Sequence, residues 1–196
     1  MNESLGGFVL GGLAMRMRPF DIGIGLAAGL MTVTPVVPAD AQGARRPEAT
    51  QVNRALIDTL VPHHQMAVAM ADEAINRAQH DDLKAFARKL KENQEKEITQ
   101  MKQWRSSWFG SSDTPTPPKD LLMPHLPSGS EFDKAWMEHL IMHHQSAIDL
   151  ATVGLSGETR PEMRELAQKL VRTQRDEQKQ LRGWIDAWYP RKSDSK

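Results

Sequence analysis

The sequence predicts an all-α protein, an antiparallel four-helix bundle built from two repeated helical hairpins. Apolar residues recur at spacings of three and four through four long stretches, which is the pattern of one buried helix face. The chain also repeats itself after 80 residues, and a proline-rich segment separates the two copies. A single hairpin leaves its apolar stripe uncovered, so we expect one copy to pack against the other.

The first 41 residues are expected to lie outside the bundle. The basic stretch "MRMR" precedes an apolar run over residues 22–37 and the small-residue sequence Ala39-Asp40-Ala41. This is the order of a cleaved export signal. The apolar run is shorter than the ~20 residues of a membrane-spanning helix, although an uncleaved N-terminal anchor is the alternative. We therefore predict a periplasmic or otherwise exported protein.

The internal repeat aligns residues 53–109 with residues 133–189 without a gap, and 15 of the 57 pairs are identical. Unrelated segments of this length would share about three or four identities. We therefore interpret the chain as a duplicated hairpin. Ten of the identical pairs bear on packing or on chemistry: His63/His143, His64/His144, Gln65/Gln145, Ala67/Ala147, Ala71/Ala151, Leu90/Leu170, Gln94/Gln174, Glu97/Glu177, Trp104/Trp184 and Trp108/Trp188.

Each copy contains two helical stretches and a turn. The first hairpin is expected over 53–109 with its turn at "QHDD", and the second over 131–189 with its turn at "SGETRPE". In that second turn Thr159 to Glu162 resembles a capping box with proline in the first helical turn. Residues 110–130 carry five prolines and are expected to form a crossover loop. A short linker over 42–52 and a tail over 190–196 complete the chain.

Composition excludes several classes of function. The 25 lysines and arginines balance the 25 aspartates and glutamates, so there is no concentrated positive field to collect nucleic acid. The chain has no cysteine, which excludes disulfides, thiolate zinc sites, iron-sulfur clusters and cysteine nucleophiles. No serine is placed with a base, so the sequence gives a hydrolase no support.

Two short segments, "LVPHHQMAVAMA" at 60–71 and "LIMHHQSAIDLA" at 140–151, each place adjacent histidines in an apolar helical stretch. Adjacent helical residues point about 100° apart, so the two rings should straddle the buried stripe. A glutamate interrupts the apolar face of the second helix in each hairpin, and counting residues outward from the turn puts it level with the histidines. The spacing predicts two clusters: His63, His64 and Glu97 in the first hairpin, and His143, His144 and Glu177 in the second.

Such clusters admit two interpretations. Two imidazoles and a carboxylate are a plausible ligand set for a transition metal, whereas a buried histidine bonded to a buried glutamate is also a common structural network. Nearby thioethers favour a soft ion, because imidazole with thioether suits Cu(I) or Ag(I). Methionine at helical spacing also commonly fills a core. The further candidate ligands are Met66, Met70, Met101, His139 and Met142.

These segments resemble the DUF305 family of exported proteins. The resemblance rests on the two His-His-Gln segments and on "FARKLKENQEKEITQMKQW" and "LAQKLVRTQRDEQKQLRGW", and it covers residues 53–189. It implies a ferritin-like four-helix bundle and, for some members, periplasmic copper or silver binding by histidine and methionine. Those roles carry over to the two histidine pairs first, and then to the five further candidates. Ser146 and Leu181 stand where Met66 and Met101 stand in the first copy, so the second copy has fewer thioethers.

The sequence therefore predicts an exported, non-enzymatic protein that binds copper or silver for buffering, transfer or resistance. The alternative is a helical scaffold, or a subunit of a periplasmic or membrane-associated complex, in which the histidine and glutamate clusters are structural. A di-metal enzyme of ferritin type would need four carboxylates and two Glu-x-x-His motifs, and this chain has no Glu-x-x-His. The sequence does not determine an oligomeric state.

Overall fold

The computed structural model describes residues 47–117 and 126–190. Within this part of the chain it contains four long helices and one short 3₁₀ turn, Gly129–Glu131. The helices are α1 (Pro47–Arg77), α2 (Asp81–Phe109), α3 (Phe132–Ser156) and α4 (Pro161–Trp188). α1 packs on α2 and α3 packs on α4, so the prediction of an all-α four-helix bundle is confirmed. The predicted export signal lies outside the described residues, as do positions 42–46, 118–125 and 191–196.

The helix ends follow local chemistry in most places. α1 and α4 each begin with a proline, which suits the first helical position because that residue needs no N–H partner. α2 ends at Phe109 and is followed by Gly110, whose φ of 80° gives the left-handed conformation that glycine adopts without strain. The expected capping box at Thr159 is wrong. Arg160 precedes α4, and the Thr159 hydroxyl donates to the carbonyl of Gly154 at 3.0 Å.

α1 and α3 run antiparallel at the contact between the two hairpins. Near one end of this contact Gly154 lies against Leu56, where an added Cβ would stand 3.0 Å from the leucine side chain. At the other end the backbone N–H of Gln79 donates to Asp133 at 2.9 Å. Close approach of the two helices therefore depends on a small residue at one end and a carboxylate at the other.

The described residues that follow α2 and those that precede α3 lie at different ends of the bundle. The last turns of α2 lie beside the first half of α1, where Arg105 Nε donates to Asp58 at 2.6 Å. The described residues just before α3 lie instead at the far end of α1, where Arg77 donates to the carbonyl of Pro127 at 2.8 Å.

The apolar core is divided into two clusters. One cluster surrounds Trp136 and Phe132 near the α1–α2 turn, and the other surrounds Leu60 and Met163 near the α3–α4 turn. Along every helix, buried polar residues separate the positions that belong to the two clusters. The middle of the bundle is therefore a polar layer between two apolar ones.

Candidate metal centre

All four helices contribute side chains to the polar layer. Its members are His63 and His64 from α1, Gln94 and Glu97 from α2, His143 and His144 from α3, and Gln174 and Glu177 from α4. Six of these eight are buried, and His63 and Glu177 are partly exposed. Buried polar groups cost free energy unless they find partners, so the pairing within this layer decides what it can bind.

His64 is held at both ring nitrogens. Its Nδ1 lies 2.8 Å from the carbonyl oxygen of Leu60, and its Nε2 lies 3.1 Å from Oε2 of Glu97. Burial opposes ionisation of Glu97, but the hydrogen bond and charge of His64, together with Lys169, outweigh it and hold the carboxyl pKa below its ordinary value. Because both nitrogens of His64 face acceptors, this ring offers no free lone pair to an ion.

The equivalent pair in the second hairpin has one contact fewer. His144 Nε2 lies 2.8 Å from Oε2 of Glu177, which makes an ion-pair contact. Nδ1 of His144 has no hydrogen-bond partner within the described part of the chain, whereas Nδ1 of His64 faces the carbonyl oxygen of Leu60. The two copies of the motif therefore differ at Nδ1 of the second histidine.

His63 and His143 face each other across the contact between α1 and α3. Their ring centroids are 3.9 Å apart and the rings are tilted by 36°. The Ser146 hydroxyl donates to the carbonyl of His143 at 2.8 Å and lies 2.7 Å from Nε2 of His63. Since that hydroxyl has only one hydrogen, Nε2 of His63 is the donor to Ser146 Oγ, and the lone pair of His63 is on Nδ1.

His143 is a buried ring without polar partners. It is 8% exposed, and neither of its nitrogens has a hydrogen-bond partner among the residues the structure describes. Burial, reinforced by the neighbouring histidines, lowers the pKa of His143 to about 2 and that of His63 to about 3. Both rings are therefore neutral near pH 7, which is the form that binds a metal ion.

The structure keeps one histidine–glutamate pair of each predicted cluster together and separates the other histidine from it. His64 meets Glu97 and His144 meets Glu177 within their own hairpins, as the residue count from the turns indicates. His63 and His143 point about 100° away from their neighbours and meet each other instead. In residues 47–117 and 126–190, no three histidine, aspartate or glutamate side chains are close enough to enclose an ion in their present positions.

The methionine candidates separate into different environments. Met70 and Met101 are buried in opposite apolar clusters, at 2% and 0% exposure. Met142 is 63% exposed on α3, and His139, one turn before His143, is partly exposed. Burial lowers the pKa of His139. Met66, one turn after His63 in sequence, is partly buried.

An approximate two-fold relation links equivalent residues of the two hairpins. Asn53 accepts the backbone N–H of Arg160, and Asp133, 80 residues later, accepts the backbone N–H of His80. Arg160 in turn stacks on Trp108, and His80 stacks on Trp188. By the same relation, Met66 holds the position equivalent to Ser146.

The sequence did not indicate two features of this layer. In the sequence, Ser146 was noted only because it replaces the methionine found at position 66 of the first copy. Its contact with His63 joins two different hairpins, so no local residue spacing indicates it. Gln94 and Gln174 were recognised as identical positions of the repeat that could complete a structural histidine–glutamate network, but not as candidate ligands. In the structure both are buried, and their Oε1 atoms have no partner in the described residues. Their identity in the two copies was the signal available.

A family model described as "Domain of unknown function (DUF305)" matches residues 34–105, 53–132 and 133–196. The chain belongs to the DUF305 family. CopM solved in its Cu(I)-bound form is similar to this DUF305 chain, with 35% sequence identity and a TM-score of 0.62, covering 70% of this chain and 97% of CopM. CopM in its apo form has the same identity and a TM-score of 0.63, with 70% and 98% covered.

A DUF305 fragment from Deinococcus radiodurans has the same fold at 24% identity, with a TM-score of 0.58 and coverage of 72% of this chain and 99% of the fragment. No curated protein sequence is significantly similar to the chain. CopM has also been solved in Ag-bound and Cu(II)-bound forms. Within the described residues, no helix of this DUF305 protein is long and apolar enough to cross a membrane.

Proposed function

We propose that this DUF305 protein is exported and non-enzymatic, and that it binds Cu(I) or Ag(I) in the histidine layer to buffer or transfer the ion. One observation carries the proposal. Two neutral imidazoles from different hairpins lie in contact, and one of them, His143, is buried with both nitrogens unpaired within the described residues. An orphaned buried nitrogen in native protein calls for an explanation, and a soft metal ion supplies one.

The donor set in this layer fits a soft monovalent ion. His63 offers Nδ1, His143 offers either nitrogen, and Met66, one helical turn after His63, offers a thioether. These donors are neutral and soft, which suits Cu(I) and Ag(I) better than hard divalent ions. His144 is a further donor through Nδ1, which has no hydrogen-bond partner in the described residues, whereas both nitrogens of His64 are occupied by Leu60 and Glu97.

Glu97 and Glu177 have a different role in this proposal. Glu97 contacts His64 at 3.1 Å, and Glu177 contacts His144 at 2.8 Å. A carboxylate on a histidine orients the ring and raises its basicity, and it also balances the positive charge that an ion adds to a buried site. We assign both glutamates to holding the rings and the local charge rather than to direct coordination.

Two further observations support the proposal. CopM, at 35% identity over most of both chains, has been solved with Cu(I) and with Ag. The order of basic, apolar and small residues before position 42 is that of an export signal, which would deliver the protein to a compartment where free metal ions are encountered. A buried site without a substrate-binding role suits storage or transfer of an ion rather than turnover.

In the structural alternative, the polar layer binds no ion, and its hydrogen bonds only fix how the four helices pack. It is favoured by His64, which is fully satisfied by protein partners. It does not account for His143, because a structural histidine is normally hydrogen-bonded when it is buried.

An anaerobic titration with Ag(I) or Cu(I) against a competing chelator tests the proposal. The wild type is compared with His63→Leu/His143→Leu, in which apolar side chains refill the contact, and with His80→Gln, a histidine outside the layer. We expect wild type and His80→Gln to bind one ion tighter than micromolar, and the double variant to bind roughly hundredfold more weakly. Wild-type protein that binds no ion at micromolar concentration would contradict the proposal and favour the scaffold.

A further inference from the structure

A lysine of the second hairpin contacts the polar layer of the first. Lys169 on α4 places its Nζ 3.1 Å from Oε1 of Glu97 on α2, while Oε2 of the same carboxylate contacts His64. The Glu97 side chain is only 7% exposed. Burial opposes its ionisation, and Lys169 is one of the two partners that reverse this effect and lower its carboxyl pKa. The ammonium therefore acts on a buried carboxylate rather than on a solvated one.

The equivalent lysine of the first hairpin makes no matching contact. Lys89 stands 80 residues before Lys169 in the repeat and is exposed. It lines the same surface groove as Glu177, but among the described residues the ion pair of Glu177 is with His144 alone. The two hairpins are therefore alike in their buried glutamates and unlike in the lysine that neutralises one of them.

The contacts of Lys169 connect it to the proposed ion site. Glu97 lies 3.1 Å from His64, and the ring centroid of His64 is 6.4 Å from that of His63, one of the two rings in the proposed site. Lys169, Glu97 and Glu177 also line one small cavity of about 90 Å³ between α2 and α4. Charges separated by a buried layer are screened less than charges separated by water. The ammonium of Lys169 therefore changes the electrostatic potential at the histidines.

We infer that Lys169 is a specificity-determining residue of the histidine layer: by neutralising Glu97, it disfavours divalent ions more than monovalent ones. The inference rests on the proposed function, because it concerns the ion held by His63 and His143. Imidazole suits Zn(II) as well as copper, so the rings alone do not select an ionic charge. The electrostatic free energy of an ion at a given potential is proportional to its charge. The negative charge that Lys169 cancels therefore costs a divalent ion twice the binding free energy that it costs Cu(I) or Ag(I).

Chelator-competition titrations of the full chain with Ag(I) and with Zn(II), at one fixed pH, test this inference. The Lys169 side chain is 60% exposed, so Lys169→Met removes the charge with little change in buried packing. We expect this variant to bind Ag(I) about threefold more tightly and Zn(II) about tenfold more tightly, because doubling a free energy squares the fold-change. The matched control is Lys179→Met, which removes an exposed lysine of the same helix that has no ion pair in the described residues. Both affinities of the control should stay within about twofold of the wild type.

Two further variants test whether Lys169 acts through Glu97. Lys169→Arg keeps the charge and should bind both ions as the wild type does. In a Glu97→Gln background there is no carboxylate to neutralise, so adding Lys169→Met should change neither affinity. Melting curves without metal establish that each variant is folded.

The outcomes separate this inference from the proposed function. If the wild type binds Ag(I) but Lys169→Met has no effect, strengthens both ions equally or matches Lys179→Met, the inference is overturned and the proposed function stands. Wild-type protein that binds neither ion would contradict the proposed function and the inference with it.

Discussion

The rings of His63 and His143 lie 3.9 Å apart between centroids, and each comes from a different hairpin. The proposed soft-metal site therefore exists only when α1 packs on α3. An ion held by both rings stabilises that packing, because a ligand that binds only the folded form shifts the unfolding equilibrium. Metal binding and the assembly of the two hairpins should be thermodynamically linked.

Saturating Ag(I) should raise the melting temperature of the wild-type protein. At a free ion concentration of about one hundred times the dissociation constant, linkage adds about 2.7 kcal/mol to the free energy of unfolding. Calorimetry or circular dichroism with and without Ag(I) measures the shift. His143→Leu should show almost none, because only one of the two bridging rings remains. An equal shift in both proteins would place the ion elsewhere.

Exchanging the residues at the two equivalent positions 66 and 146 should change metal affinity in opposite directions. Met66→Leu removes the thioether at similar volume, and we expect Ag(I) to bind about tenfold more weakly. Ser146→Met supplies a second thioether on the side of His63 and should strengthen binding, although it also removes the hydrogen bond to His63 Nε2. Competition titrations with a chelator measure both. Unchanged affinity in Met66→Leu would remove Met66 from the ligand set.

Met70 and Met101 should be dispensable for metal binding. Both are buried in apolar clusters on opposite sides of the polar layer, where leucine fills a similar volume at a cost of less than about 1.5 kcal/mol each. Met70→Leu/Met101→Leu should therefore keep the Ag(I) stoichiometry and affinity of the wild type. A lost equivalent of Ag(I) in this variant would show that a core methionine binds the ion.

Stability should fall as the pH drops from 6.5 towards 4.5. His63 and His143 protonate near pH 6.5 in the unfolded chain, but burial lowers their pKa to about 3 and about 2 in the folded protein. Within this window the unfolded state binds the extra protons, so each ring lowers the free energy of unfolding by up to about 1.4 kcal/mol per pH unit. The stabilisation is complete above pH 6.5 and is lost on acidification.

Urea denaturation at several pH values measures this slope. His63→Leu/His143→Leu is the control, because it removes both titrating rings and should flatten the curve between pH 6.5 and 4.5. Below that window the carboxylates also take up protons, including Glu97 with its lowered pKa. A slope that is the same in both proteins would show that these two rings titrate alike in the folded and unfolded states.

Asp133 should be one of the most sensitive positions outside the polar layer. Its fully buried carboxylate accepts the backbone N–H groups of Gln79 and His80 and the Nδ1–H of His80. Asp133→Ala leaves those donors unpaired, and we expect a loss of about 3 kcal/mol in the free energy of unfolding. Chemical denaturation measures it.

The equivalent position in the first hairpin is the comparison for Asp133. Asn53 is neutral and accepts the backbone N–H of Arg160 at 3.0 Å. Asn53→Ala should cost about 1 kcal/mol, since a hydrogen bond to a neutral group contributes less than bonds to a charged one. A larger loss in Asn53→Ala than in Asp133→Ala would contradict this account of the hairpin contact.

Some of the site could be predicted from sequence because it is local. The distance from each turn sets which residues of a hairpin are level, and this count alone relates His64 to Glu97 and His144 to Glu177. Helical periodicity likewise indicates which faces are buried. The boundaries were less accurate: α1 begins at Pro47 rather than at 53, and Thr159 does not cap α4.

Other parts of the site have no local signal. His63 bonds to Ser146, 83 residues away, and Gln94 and Gln174 line a cavity between helices that are not neighbours in the chain. Both depend on how the hairpins are rotated about their axes when they pack. Periodicity is unchanged by that rotation, so the repeat could indicate that these residues matter without indicating what they meet.

Four helices, their pairing into two hairpins and one histidine–glutamate contact within each hairpin follow from the order of residues alone. The folded bundle adds that His63 and His143 face each other and that Met70 and Met101 belong to separate apolar clusters. It also shows that Gln94 and Gln174 line a polar cavity. The first set depends on helical geometry and turn length, which are local properties of the chain. The second set depends on side-chain packing between helices that meet only when the two hairpins assemble, and no local pattern encodes that packing.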